Sequence, residues 1–97
     1  MTVFAVEYVY DAESAPVRDE HRPAHRAWLA ELAGQGTLLA SGPYADGSGA
    51  LLLFSAADES ELNSILKQDP FAVAQGLASI RTSAWNPVIG VLAAHAS

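Results

Sequence analysis

Two short stretches carry the side chains with the widest chemical reach: Arg22-Pro23-Ala24-His25-Arg26 and Asp69-Pro70-Phe71. A histidine with a carboxylate partner can serve as a general base. The carboxylate accepts from one ring nitrogen, fixes the tautomer and raises the basicity of the other. His25 and Asp69 are the catalytic candidates on that ground. Arg22 and Arg26 flank His25 and are suited to hold an anionic or phenolic oxygen. Ser41 and Tyr44, near the end of a predicted strand, and Phe71 complete the candidate substrate-binding set. Each of these residues also has a plain structural reading. Aspartate before proline is a standard helix N-cap with Pro at N1, and a cap can still hold a histidine with its free oxygen. A buried histidine bonded to a backbone carbonyl would account for His25 equally well. Ser41 lacks a G-x-S-x-G context, so its hydroxyl is expected to bond a ligand or cap a turn. Phe71, like Trp28 and Trp85, serves in a core as readily as on an aromatic platform.

No metal site is assigned. His21 and His25 stand at i, i+4, a spacing zinc can use, but two ligands are too few without Asp69 as a third. No cofactor is expected either, because Gly47-Ser48-Gly49 is too short and wrongly placed for a phosphate loop. The 97 residues contain no cysteine, which leaves no disulfide frame and no thiolate chemistry. A net charge of −6 argues against nucleic acid as a partner. Arg18, Arg22 and Arg26, at i, i+4 and i+8, make a local positive stripe that reads as a solvated face paired with Asp19 and Glu20. The start, Met1-Thr2-Val3-Phe4, has no basic n-region, and no apolar run reaches about 18 residues. A cytoplasmic protein without a membrane partner is expected. His95 falls in the tail, as a bystander.

Positioning these residues requires a scaffold, which the hydrophobic pattern outlines. Residues 1–97 form one domain, with the tail 88–97 left unassigned. Val3–Tyr10 reads as a strand in which both alternating sets are largely apolar. A helix is predicted from Val17 to Ala33, with Gly34 and Gly36 as stop signals. His25, Trp28, Leu29 and Leu32 lie on its apolar stripe, so His25 points inward. Pro23 either starts that helix or bends it. Thr37–Ser41 and Ala50–Ser55 read as strands joined through Asp46-Gly47. Asp58 opens a second helix with a capping-box pattern, and Asp69-Pro70 opens a short third one that Gly76 is expected to close. Leu77–Trp85 is the last strand. The order β-α-β-β-α-β predicts an α+β fold of the ferredoxin-like type, with a four-stranded antiparallel sheet and its helices on one face. Strands apolar on both faces then need a second cover, and a two-fold homodimer is the expected one.

Several of these segments together resemble a known family. Phe4-Ala5-Val6-Glu7-Tyr8, Arg22-Pro23-Ala24-His25, the run from Gly36 to Pro43, and Asp69-Pro70-Phe71 occur in the order seen in the YciI-like (YCII-related) family. The resemblance extends from Met1 to about Val88. It implies a dimeric α+β barrel of ferredoxin-like subunits and a His-Asp pair at His25 and Asp69. It also implies, from one branch of the family, lyases that eliminate chloride from hydroxylated chloroaromatics. The expected function is therefore a cofactor-free enzyme, lyase or isomerase, that moves a proton on a small-molecule ligand. The alternatives are a non-enzymatic ligand-binding dimer and a purely structural one.

Overall fold

A computed structural model describes residues 1–97. Period-2 alternation makes Thr2–Val9 strand β1, with Phe4, Val6 and Tyr8 on one face and Val3, Ala5 and Glu7 on the other. Helix α1 spans Ala15–Gly34, β2 Leu38–Pro43, β3 Gly49–Ala56, α2 Glu59–Leu66, α3 Pro70–Val73 and β4 Ser79–Trp85. The sheet order is β2-β3-β1-β4, antiparallel throughout. This is the predicted ferredoxin-like α+β arrangement, with α3 as one added turn.

Helix α1 starts two residues earlier than the pattern predicts. Asp11 takes both the backbone N–H and the hydroxyl of Ser14, which closes a turn just ahead of it. Pro23 neither starts nor ends the helix. Its ring sits on the exposed side, while the buried Arg18 before it and His25, Trp28, Leu29 and Leu32 after it face inward. Phe4, Val6, Tyr8, Leu38, Ala50, Leu52, Phe54 and Ala56 form the sheet's share of the core, with Leu62 and Leu66 from α2. Trp28, Leu29 and Leu32 pack onto it from α1. Each large side chain buried there contributes about 1.5–3 kcal/mol of transfer free energy.

Three local features set the site. Leu38 pairs with Phe54 but Ala40 pairs with Leu53, so β2 carries an irregularity at Leu39. That extra residue reverses the alternation and places Ser41 opposite Leu52, on the helix-covered face. Gly49 lies so close to β1 that an added Cβ would meet the Tyr8 carbonyl oxygen at 1.9 Å, so only glycine lets β3 begin there. Helix α3 ends in a Schellman turn, with Gly76 N–H donating to the Phe71 carbonyl and Gln75 N–H to that of Ala72. Gln75, not Gly76, takes the left-handed conformation, at φ 60°. The lack of a side chain at Gly76 serves packing instead, since a Cβ would sit 3.2 Å from Arg18 Cγ.

The second sheet face is less uniformly apolar than the strand composition suggests. Ala5, Leu51 and Leu53 share it with Glu7, which lies 3.5 Å from Arg81 and accepts from the Tyr44 hydroxyl at 2.6 Å. The helices leave β4 largely exposed. In the tail, Asn86 and Ser97 exchange two hydrogen bonds, and Ile89 and Val91 face outward. No helix is long and apolar enough to cross a membrane.

Candidate active site

Asp69 is the centre of the site and has no exposed surface. Its backbone sits at the N-cap of α3, extended at φ −61° and ψ 124°, because Pro70 disfavours helical geometry in the residue before it. Asp69 Oδ1 accepts from the Phe71 backbone N–H at 2.9 Å, which is the capping bond. The same oxygen lies 2.7 Å from His25 Nδ1. Oδ2 accepts from the Tyr8 hydroxyl at 2.5 Å. The cap and the histidine partner are therefore one carboxylate doing both jobs.

These contacts fix the histidine. A carboxylate that accepts from a backbone amide and a phenol is an acceptor toward the ring as well, so Nδ1 carries the proton. Nε2 has no hydrogen-bond partner in the protein, yet no buried side-chain nitrogen or oxygen lacks one. Nε2 is thus open to the adjoining cavity. The Phe71 ring stacks on the imidazole at 3.8 Å between centroids and 5° between planes. It holds the ring plane while leaving the edge free.

The cavity encloses about 430 Å³ between α1, β2 and α3, and nine of its fifteen lining residues are apolar. His25, Arg22, Arg26, Ser41 and Phe71 all line it. Arg22 is held by Asp19 at 2.6 Å, with its guanidinium carbon 6.0 Å from the Phe71 ring centre. Arg26 is exposed and makes no ion pair. The predicted stripe of three arginines therefore splits. Arg22 and Arg26 face the cavity, whereas Arg18 is buried, donates to the carbonyls of Gly76 and Asp11 at 2.9 Å each, and lies 4.2 Å above the Tyr10 ring. Glu20 approaches His21 at 4.0 Å rather than an arginine. His21 stays outside the cavity, and no three histidine, cysteine or acidic side chains gather as a metal-binding group.

Tyr44 stands apart from the other candidates. The β2–β3 turn carries its hydroxyl to Glu7 on the opposite sheet face, away from the cavity. Two residues that do build the site were not singled out by sequence reasoning. Tyr8 reads as an ordinary core position of an alternating strand. Tyr10, two residues on and on the same face, lines the cavity with its ring edge toward Phe71. The signal available for the cavity wall was a second helical stripe, Arg22, Arg26, Leu29, Ala30 and Ala33, beside the one that carries His25.

Burial, reinforced by the Asp69 charge and hydrogen bond, pushes the Tyr8 phenol far above its ordinary range and keeps it a donor. Burial also raises Tyr10, against the pull of Arg18 and Arg22. The arrangement can hold a small flat molecule against apolar walls, neutralise an oxygen with two arginines, and take a proton at His25 Nε2.

The YCII-related domain family matches residues 3–86. Among solved structures, the chain is similar to 5-chloro-2-hydroxyhydroquinone dehydrochlorinase (TftG) from Burkholderia phenoliruptrix AC1100, in complex with 2,5-dihydroxybenzoquinone. The identity is 25% and the TM-score 0.76, over 87% of this chain and 93% of that one. No curated protein sequence matches significantly.

Proposed function

This chain belongs to the YCII-related domain family, and from that premise we propose that it is a cofactor-free lyase or isomerase that moves a proton on a small hydroxylated ring compound. The observation that carries the reading is the His25–Asp69 pair at 2.7 Å, with Nε2 turned into an apolar cavity beside two arginines. The solved relative, at 25% identity, is a dehydrochlorinase bound to a dihydroxyquinone, which supports the substrate class and the elimination.

His25 Nε2 takes a proton from the substrate. The electron pair left behind forms a new π bond; in an elimination a leaving group departs as an anion with the pair of its own bond, and in an isomerisation an existing π bond shifts and the imidazolium returns the proton at its far carbon. Asp69 stabilises the imidazolium that results, as a fixed carboxylate does for a general base. Arg22 or Arg26 neutralises the substrate oxygen as its charge develops. Elimination and isomerisation of this kind need proton transfer and no redox group, which fits the residues present. Apolar walls exclude water and strengthen these charge interactions.

The reading includes a homodimer working in the cytoplasm. Support for the dimer is the sheet face that no helix of this chain covers, where Leu51 remains 39% exposed.

The experiment is chloride release from chlorinated hydroxyhydroquinones by the purified protein without additives, followed with a halide electrode and by the quinone absorbance. The proposal expects one halide released per ring consumed. Tight binding of dihydroxybenzoquinone with no turnover of any member of the panel would make the protein a ligand-binding module and overturn the enzyme reading.

A further inference from the structure

We propose that Tyr8 is a positioning residue that sets the proton affinity of the His25 base through Asp69. The inference rests on the proton-transfer reading above and deepens it. Tyr8 and Asp69 are both without exposed surface, and the phenol donates to Oδ2 at 2.5 Å while Oδ1 faces His25 Nδ1 at 2.7 Å. The Phe71 N–H also lies on Oδ1, at 2.9 Å. Asp69 therefore shares one carboxylate charge among three donors, each from a different place: strand β1, the first turn of α3 and the inward face of α1.

The Tyr8 bond acts on two features of the site. It fixes rotation of the carboxylate, because Oδ2 is tied to the sheet while Oδ1 is tied to its own helix. It also draws charge toward Oδ2, so Oδ1 holds the imidazole proton less strongly than a carboxylate bonded to histidine alone. A charge-assisted bond this short and this dry is among the stronger ones a protein makes. Tyr8 touches neither the cavity nor a substrate placed in it, so its effect passes entirely through Asp69.

Other charged and titratable groups also face His25. Arg22 and Arg26 lie on its own helix, Asp69 caps α3, Tyr8 comes from β1, and Tyr10 follows directly after that strand. Strand β2 contributes no titratable side chain to the cavity. Among these, Tyr8 is the one whose hydroxyl is bonded directly to the histidine's partner.

The test is an NMR titration of ¹⁵N-histidine-labelled protein, which needs no substrate. In the wild type, His25 is expected as the Nδ1–H tautomer when neutral. In Tyr8→Phe the ring remains packed but the bond is gone, and the midpoint of the His25 titration is expected to move up by about half a pH unit. A second variant with 3-fluorotyrosine placed at Tyr8 keeps the hydroxyl and makes it a stronger donor. Its midpoint is expected to move down, and it decides the question alone if Tyr8→Phe does not fold. A structural role by itself moves neither midpoint. A wild-type Nδ1–H tautomer with unmoved midpoints overturns the role of Tyr8 and leaves the dyad standing. A wild-type His25 protonated on Nε2 overturns the dyad itself, and this inference with it.

Discussion

Replacing Asp69 by asparagine and by alanine separates the jobs this residue performs. Alanine removes all three hydrogen bonds and strands the Tyr8 hydroxyl and the Phe71 N–H in the interior. An unpaired buried donor costs about 1–3 kcal/mol, so Asp69→Ala is expected to lose about 4 kcal/mol. That is a large share of the roughly 5–15 kcal/mol by which a domain is stable, and it lowers Tm by on the order of 20 °C. Asparagine caps a helix about as well as aspartate and keeps the bond from Phe71. Its amide then presents a donor where the carboxylate offered an acceptor. With its oxygen still accepting from Phe71, that donor stands in the place of Oδ2, where the Tyr8 hydroxyl must turn to accept from it, and the oxygen at Oδ1 still accepts from His25 Nδ1–H. The expected cost is only about 1–2 kcal/mol, in line with one altered hydrogen bond. Catalytically the order is different. A neutral amide no longer offsets the charge of the imidazolium that forms when Nε2 takes a proton, so Asp69→Asn is expected to lose turnover by on the order of a hundredfold. Urea denaturation at constant m-value measures the stabilities, and halide release measures turnover. Equal stability of the two variants, or a loss below about 0.5 kcal/mol for alanine, would refute the network as described.

Three further outcomes are expected. Tyr8 is raised in the folded chain, chiefly by burial and then by Asp69, so the stability it contributes is full below the ordinary tyrosine pKa of about 10 and is lost as pH climbs above it. The denaturation midpoint should fall between about pH 10 and 11 and fall less steeply in Tyr8→Phe; a parallel decline in both proteins contradicts this. Phe71→Ala removes the ring stacked on His25 and opens a core void, with an expected loss of about 3–5 kcal/mol by thermal or urea unfolding. A loss under about 1 kcal/mol would mean the ring is not packed as described. Light scattering at micromolar concentration is expected to give twice the 10.2 kDa of one chain, and a monomer there removes the homodimer from the proposal.

The residues differ in how far the chain betrays their roles. His25 was legible because Trp28, Leu29 and Leu32 follow it on one helical stripe, and a stripe has one inward direction. Asp69 was legible as a cap from Pro70 alone. Its bond to His25 was expected from the chemistry of the two side chains and not from any local pattern, since the contact joins residues 44 apart in sequence and depends on how α3 meets α1, and its bond from Tyr8 was not expected at all. Arg18 looked like the first member of a solvated stripe with Arg22 and Arg26. The burial that sets it apart comes from the Gly76 carbonyl and the Tyr10 ring, neither of them near in sequence to the stripe. Ser41 reached the cavity side only through the extra residue at Leu39, and the alternation of an undisturbed strand would have pointed it away. Tyr44 looked equally close to the site on the chain, but the turn that carries it leads to the other sheet face. Local rules located the elements. Pairings between distant residues decided which side chains share a cavity.

The central claim is that His25 is the base, and His25→Gln tests it most directly. Glutamine keeps a polar side chain on the same helix face, where its amide can still donate to Asp69, but it offers no imidazole nitrogen to take up a proton. Circular dichroism and the urea midpoint establish that the variant is folded, and halide release from a turned-over chlorinated hydroxyhydroquinone is then compared with the wild type. The account predicts a fall of about 10²–10⁴-fold in kcat with the dihydroxyquinone still bound. Turnover within about threefold of the wild type in a folded His25→Gln protein would contradict it.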